Sequence, residues 1–157
     1  MTRYDWLLAI HMLAAFALIS GAVAAGVFQL SALRRRRPSE IALLLRLAQL
    51  AVVPISVGSL LVLAFGLWLV DETGYGFGET WIVAALVLWV VAAVTGGAGG
   101  RTARHARELA ERLAAGGDEP SDELRALVSN RPSLLLSYVS TAAIVAIVVL
   151  MVWKPGA

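Results

Sequence analysis

The chain has 157 residues, 59% of them hydrophobic and 15% charged, with 13 basic against 11 acidic side chains and no cysteine. That apolar share lies above the roughly 45–50% of soluble domains, and the missing cysteines exclude disulfides, thiolate metal sites and cysteine nucleophiles. The arginines stand at the ends of apolar runs and not over a soluble face, so the net charge of +2 reads as membrane orientation and excludes a nucleic-acid footprint.

Crossing a hydrocarbon core of about 30 Å takes about 20 apolar helical residues. Four stretches meet that length: 7–33, 47–70, 80–100 and 133–153. Lipid offers no partner to an open strand edge, so the spans are helices. The expected fold is all-α, an integral membrane bundle of four transmembrane helices in a single domain, 1–157, with a cytoplasmic loop over 101–132.

The stretch "DWLLAIHMLAAFALISGAV", 5–23, leads into the first span. The small residues of "AVAAG" resemble a signal cleavage site, but Asp5 offsets Arg3 and the apolar run continues to Leu33, so the segment reads as a permanent span. His11 lies nearly two turns in, about 9 Å of rise along the helix. On a helical wheel its face includes Leu7, Ala14 and Leu18, flanked by a ridge of Ala17, Gly21 and Ala25 whose small-xxx-small spacing suits close helix contact. His11 is thereby directed toward the bundle interior or a second subunit.

After "RRRR", Arg34 to Arg37, comes Pro38, with Ser39 as candidate cap of the next helix. Pro54 removes a backbone hydrogen bond inside the second span and predicts a kink; Ser56, Gly58 and Ser59 beside it read as packing residues. The connection "DETGYGFGE" carries Asp71, Glu72 and Glu79, and reads as a solvated turn. "TGGAGG", without a preceding strand or Lys-Ser/Thr, is no nucleotide loop and reads as close helix contact or the exit from the bilayer. The loop that follows holds Arg104–Glu108, Arg107–Glu111 and Glu108–Arg112 at i, i+4 spacing, which reads as a solvated helical face that includes His105. Pro120, Asp122 and Glu123 mark a second helix start there. In the fourth span Ser133, Ser137 and Thr141 form a stripe suited to hydrogen bonds between helices.

Eleven of the 13 basic residues fall in the first and third connections, and only Arg3 and Lys154 fall opposite. The positive-inside rule puts both termini outside, in a bacterial cytoplasmic membrane. Trp6, Trp68, Trp81 and Trp153 stand at the four span ends on that outer face, where interfacial indoles are expected, while Trp89 falls mid-span as a core or lipid-facing residue.

An ionisable residue at the depth of His11 is a functional-site hypothesis by default. Three roles compete. A neutral imidazole bonds a serine, tyrosine or carbonyl of another span; a ring nitrogen ligates haem iron or another metal, with Met151 as a thioether partner; or the ring relays protons or meets a transported solute.

His11, "VVPISVGSLLVLAFGLWLV", "TWIVAALVLWVV" and "LLLSYVSTAAIVAIVVLMVWKPG" together resemble an uncharacterised bacterial family of four-span integral membrane proteins, over nearly the whole chain. More distantly, the architecture is similar to the copper-resistance-D membrane proteins and the membrane-embedded, haem-binding protoporphyrinogen oxidases. His11 matches their intramembrane histidine, with "FALISGAV" standing where they carry aromatic-x-Gly-Gly. The resemblance implies a cofactor-binding role for His11. The expected function is a small non-enzymatic accessory or assembly component, since no nucleophile–base pair, paired carboxylates or phosphate loop is present. The alternative is a haem- or metal-binding protein using His11, and a small transporter or channel ranks third. The expected partners are the lipid bilayer and a homo-oligomer or larger membrane complex, with no nucleic acid.

Overall fold

A computed structural model describes residues 2–154; the Pro155 and Gly156 of the closing "KPG" lie outside them. The described residues form five helices and no strand: α1 (Arg3–Leu33), α2 (Pro38–Thr73), α3 (Thr80–Ala115), α4 (Asp122–Val128) and α5 (Arg131–Trp153). All but α4 are long and apolar enough to cross a membrane, which is the four-helix bundle expected. Their outward faces carry large apolar side chains in the open, Leu13 at 68% and Phe16 at 65% exposure among them. A soluble protein of this size does not present such a belt; a helix solvated by lipid does.

The helix ends follow local rules. Thr2 and Asp5 close a capping box on α1, the Thr2 N–H donating to Asp5 and the Asp5 N–H to Thr2. Gly74, left-handed at φ 74°, ends α2. The helices outrun the apolar spans: α2 begins at Pro38, ahead of 47, and α3 runs unbroken through "TGGAGG" to Ala115. α2 likewise continues through Pro54.

The bundle is two tight pairs joined along one seam. α1 packs along α2 and α3 along α5, with α2 against α3 between the pairs. Lipid tails are as apolar as leucine, so close approach of backbones holds such pairs together. A Cβ on Gly58 of α2 would sit 2.7 Å from the Ala14 carbonyl and 2.8 Å from the Leu18 nitrogen of α1. Gly21 of α1 meets the Ala51 carbonyl and Ile55 in the same way. In the second pair Gly96 and Gly99 of α3 admit Ser140 and Ser137 of α5. Ser133 Oγ donates to the Gly99 carbonyl at 3.2 Å and Ser140 Oγ to that of Ala92 at 2.9 Å. Of the expected stripe only Ser133 bonds between helices; Ser137 and Thr141 donate to carbonyls of their own helix, and Ser140, outside the stripe, makes the second bond across. "TGGAGG" serves close contact. Ala17, Ala25 and Pro54 are half-buried.

The far end of the bundle corrects the expectation of a merely solvated loop. Ala106 and Ala110 of α3 and Leu124 of α4 bury against Ala32, Ile41, Ala42 and Leu45, forming a small water-facing core. The seven-residue α4 is capped by Ser121. His105 stays exposed. Of the three i, i+4 pairs, only Arg107–Glu111 closes among the described residues, at 3.3 Å, because α3 turns its alanines inward here.

Ser39 is not the cap of α2. It sits inside the first turn, after Pro38, and the N-cap residue Arg37 gives no side-chain bond. The cap comes from across the fold: the Ser39 N–H and Oγ each donate to the Asp118 carboxylate at 2.7 Å. Asp118 reaches them from a left-handed conformation, φ 59°, preceded by Gly117 at φ 132°, which a residue with a side chain rarely adopts. A carboxylate at a helix N-terminus complements the dipole. The Ser39 hydroxyl, then its N–H, hold the Asp118 carboxyl below its usual value near 3.8, with Arg37 adding to the effect.

Two predictions follow from this packing. Gly58→Ala forces α1 and α2 apart and lowers stability by about 1–3 kcal/mol. Gly26→Ala, with nothing within 4 Å of its Cβ, stays within about 0.5 kcal/mol; thermal unfolding in mild detergent compares the two. Asp118→Asn destabilises most at neutral pH. Because the folded carboxyl titrates below the unfolded one, its contribution is complete above the ordinary aspartate pKa and disappears as pH falls through the lower folded value. The gap between wild type and variant, read as the difference in thermal midpoint, therefore closes toward pH 3.

Candidate functional site

The seam missing from the bundle lies between α1 and α5, which make no contact comparable to the other pairs. A cavity of about 550 Å³ occupies that gap, lined by His11 and Phe16 of α1, Leu63 and Gly66 of α2, Trp89 of α3 and Met151 of α5. Small-molecule sites typically measure about 300–1,000 Å³. Its walls are almost wholly apolar, and two residues that line it, Phe16 and Val152, are also exposed on the outer surface of the bundle. The cavity therefore opens sideways, toward lipid.

His11 stands in the α1 wall, half-buried. Its position answers the sequence expectation: the ring faces the bundle interior. Glycine at position 66 makes room for it, since a Cβ there would lie 3.1 Å from Cε1 and 3.4 Å from Nδ1 of the imidazole. The Cε1–Nδ1 edge thus faces α2, and the ring lies beside the backbone of Val62. Nδ1 is fully buried and has no hydrogen-bond partner of good geometry. No serine or tyrosine bonds His11 among the described residues; of the partners that a packing role allows, the backbone carbonyl of another span is represented by Val62 of α2.

The end of the cavity near the start of α3 is closed by aromatic side chains. Val70, Trp81 and Ile82 form a buried cluster, with Tyr75 and Met151 packed on it. Tyr75 meets Trp81 edge-on at 5.6 Å, and Lys154 Nζ lies 5.5 Å and 5.8 Å from the two ring centres. Trp81, at 5% exposure, departs from the interfacial belt that its place in the sequence predicts, whereas Trp6, Trp68 and Trp153 are exposed. The acidic connection is largely exposed, as a solvated turn requires. Glu72 pairs with Arg3 at 3.5 Å, and the Arg3 guanidinium sits 5.3 Å from the centre of the Trp68 ring, tying α1 to α2. Toward the bundle centre Trp89 Nε1 donates to Ser59 Oγ of α2 at 2.9 Å. Trp89 is thus a core residue with a polar tie and a share in the cavity wall.

Met151, a thioether named from the sequence, shares this cavity with His11. Sequence reasoning missed Gly66, Trp81 and Trp89 as site residues. Only the spacing of Gly58 and Gly66, two turns plus one residue apart on one face of α2, held a signal for the first.

Residues 5–155 match the model of a family described as "Predicted integral membrane protein (DUF2269)". The chain belongs to that family. No curated protein and no solved structure matches it, so the likeness to copper-resistance-D proteins and protoporphyrinogen oxidases is not shown. As an integral membrane protein it sits in a lipid bilayer, and the exposed apolar belt and the sideways opening of the cavity belong to that setting.

The bond between Trp89 and Ser59 can be tested by a double-mutant cycle with Trp89→Phe and Ser59→Ala. A coupling energy of about 0.5–1.5 kcal/mol in detergent unfolding is expected. Additive effects would mean that the wall of the cavity is held by packing alone.

Proposed function

We propose that the protein is a small non-enzymatic component of a bacterial cytoplasmic membrane that holds an apolar ligand in the α1–α5 cavity, with His11 as the ligand's one directed polar contact. The observation that carries this reading is the imidazole standing in the wall of an apolar cavity of about 550 Å³. Nδ1 turned to the backbone of α2 leaves Nε2 as the nitrogen available to a ligand, the arrangement that orients ligating histidines in general. Both termini are assigned to the outer side, on the strength of the 11 basic residues gathered in the first and third connections. The cavity then opens to the outer leaflet.

A more specific form of the reading is haem, and the donor set favours it over a bare metal ion. Among the described residues no three His, Cys, Asp or Glu side chains come together, whereas iron carried in a macrocycle needs only one or two axial ligands from protein. His11 and Met151 would hold it, and the group would supply one-electron transfer. Accessory or assembly duty within a larger membrane complex is compatible with either ligand.

The test is the absorption spectrum, metal content and bound small molecules of gently solubilised protein, wild type beside His11→Ala and the cavity-filling Ala85→Phe. A Soret band present in wild type and lost in His11→Ala establishes the haem form. A colourless wild type carrying a lipid-soluble molecule that Ala85→Phe displaces establishes the apolar ligand without iron. A cavity that co-purifies with nothing, together with unchanged folding of His11→Ala, reduces His11 to a packing residue and ends the proposal.

A further inference from the structure

At the opposite end of the bundle lies a second concavity, of about 250 Å³, between the end of α1, the start of α2 and α4. Its floor is apolar, formed by Ala32, Leu33, Ile41 and Val128, and Arg35, Arg36 and Arg125 stand around it. These arginines come from separate parts of the chain: two from the α1–α2 connection and one from α4, brought beside them by the burial of Leu124 against Ala32 and Ile41. Asp122 is the one acid in the lining, leaving the arginines in excess by two. Arg35 reaches Glu40 only at 3.8 Å, with both side chains about half exposed. Among the described residues Arg36 and Arg125 make no ion pair.

We propose that this concavity binds the phosphate of an anionic phospholipid headgroup. Three features converge on that chemistry. Guanidinium groups match phosphate oxygens with parallel hydrogen bonds. The floor is apolar where a glycerol and the first acyl carbons would rest. The pocket also sits where α1 leaves its apolar stretch at Leu33, which is headgroup depth whichever side of the membrane it faces. A general basic surface would need no such convergence: Arg101, Arg104 and Arg112, on the same water-facing end, line no part of it. This inference is independent of the ligand assigned to the His11 cavity.

The experiment measures thermal stabilisation of the detergent-solubilised protein by short-chain phosphatidylglycerol, by short-chain phosphatidylcholine and by inorganic phosphate. It compares wild type, the double variant Arg36→Gln/Arg125→Gln and the control Arg101→Gln/Arg104→Gln, each checked for helical content. Phosphatidylglycerol is expected to stabilise wild type and the control, phosphatidylcholine neither, and the pocket variant to bind about tenfold more weakly. Should the glutamine pair fail to fold, Arg36→Lys/Arg125→Lys replaces it; retained charge without the planar fork is expected to weaken binding by a smaller factor. Stabilisation by inorganic phosphate with the same arginine dependence overturns the lipid as source and retains the phosphate site. Equal losses in the pocket variant and the control, or no effect of phosphatidylglycerol on wild type, overturns the proposal altogether.

Discussion

Backbone-to-backbone contact at Gly58 is the constraint from which the rest of the bundle follows. Lipid gives helices no hydrophobic reason to associate, so the pairs form where the missing side chain of one helix lets another come close. Gly58 seats against the Ala14–Leu18 turn of α1, and Gly21 repeats the contact toward the other end. α3 and α5 solve the same problem with glycine against serine, adding bonds from Ser133 and Ser140 to the α3 backbone. Two close pairs linked by one seam leave the fourth seam open. The cavity at α1 and α5 is thus a consequence of how the helices pair. His11 faces it because Gly66 continues the face of α2 that already carries Gly58.

The same logic explains how differently the two ends of the molecule are built. Toward the end rich in aromatic residues a single connection joins α2 to α3, and closure relies on side chains: Trp81 and Tyr75 packed with Met151, Lys154 over their rings, Arg3 held by Glu72. At the arginine-rich end water is available, so an ordinary hydrophobic driving force returns. There α3 runs on past its apolar stretch, α4 folds under it, and a core of alanine and leucine forms. Asp118 then fastens this cap to α2 through Ser39, supplying in trans what Arg37 cannot supply locally.

The number of spans, their helical nature and the pairing of their ends were legible because each rests on composition over some twenty residues. The inward direction of His11 followed from the neighbouring Ala17, Gly21 and Ala25, small residues that marked the helix face able to approach another. Trp81 misled because a span-end indole satisfies the interfacial pattern whether it points to lipid or inward, and only the partners Tyr75 and Val70 decide between them. Ser39 misled for a related reason. It had the right side chain at the right place for a cap, but the donor it offers is taken by a carboxylate seventy-nine residues away, a separation no local rule reaches. The alanines of the third connection hid a core, because Ala106 and Ala110 become apolar surface only when α4 arrives to cover them.

The two edges of the His11 ring meet different surroundings. The edge toward α2 is crowded, with the backbone at Gly66 close against the ring and Val62 beside it. The remaining edge belongs to a cavity whose other walls offer carbon, sulfur and aromatic rings. A glycine at 66 leaves the room that the ring occupies, while Gly58 and Gly21 set the distance between α1 and α2. A larger residue at 66 would fill the space and a leucine at 11 would satisfy the bundle. Under the proposed function, the cavity edge of the imidazole is where an apolar ligand would find its polar contact, and a cavity open sideways is the route by which it would arrive.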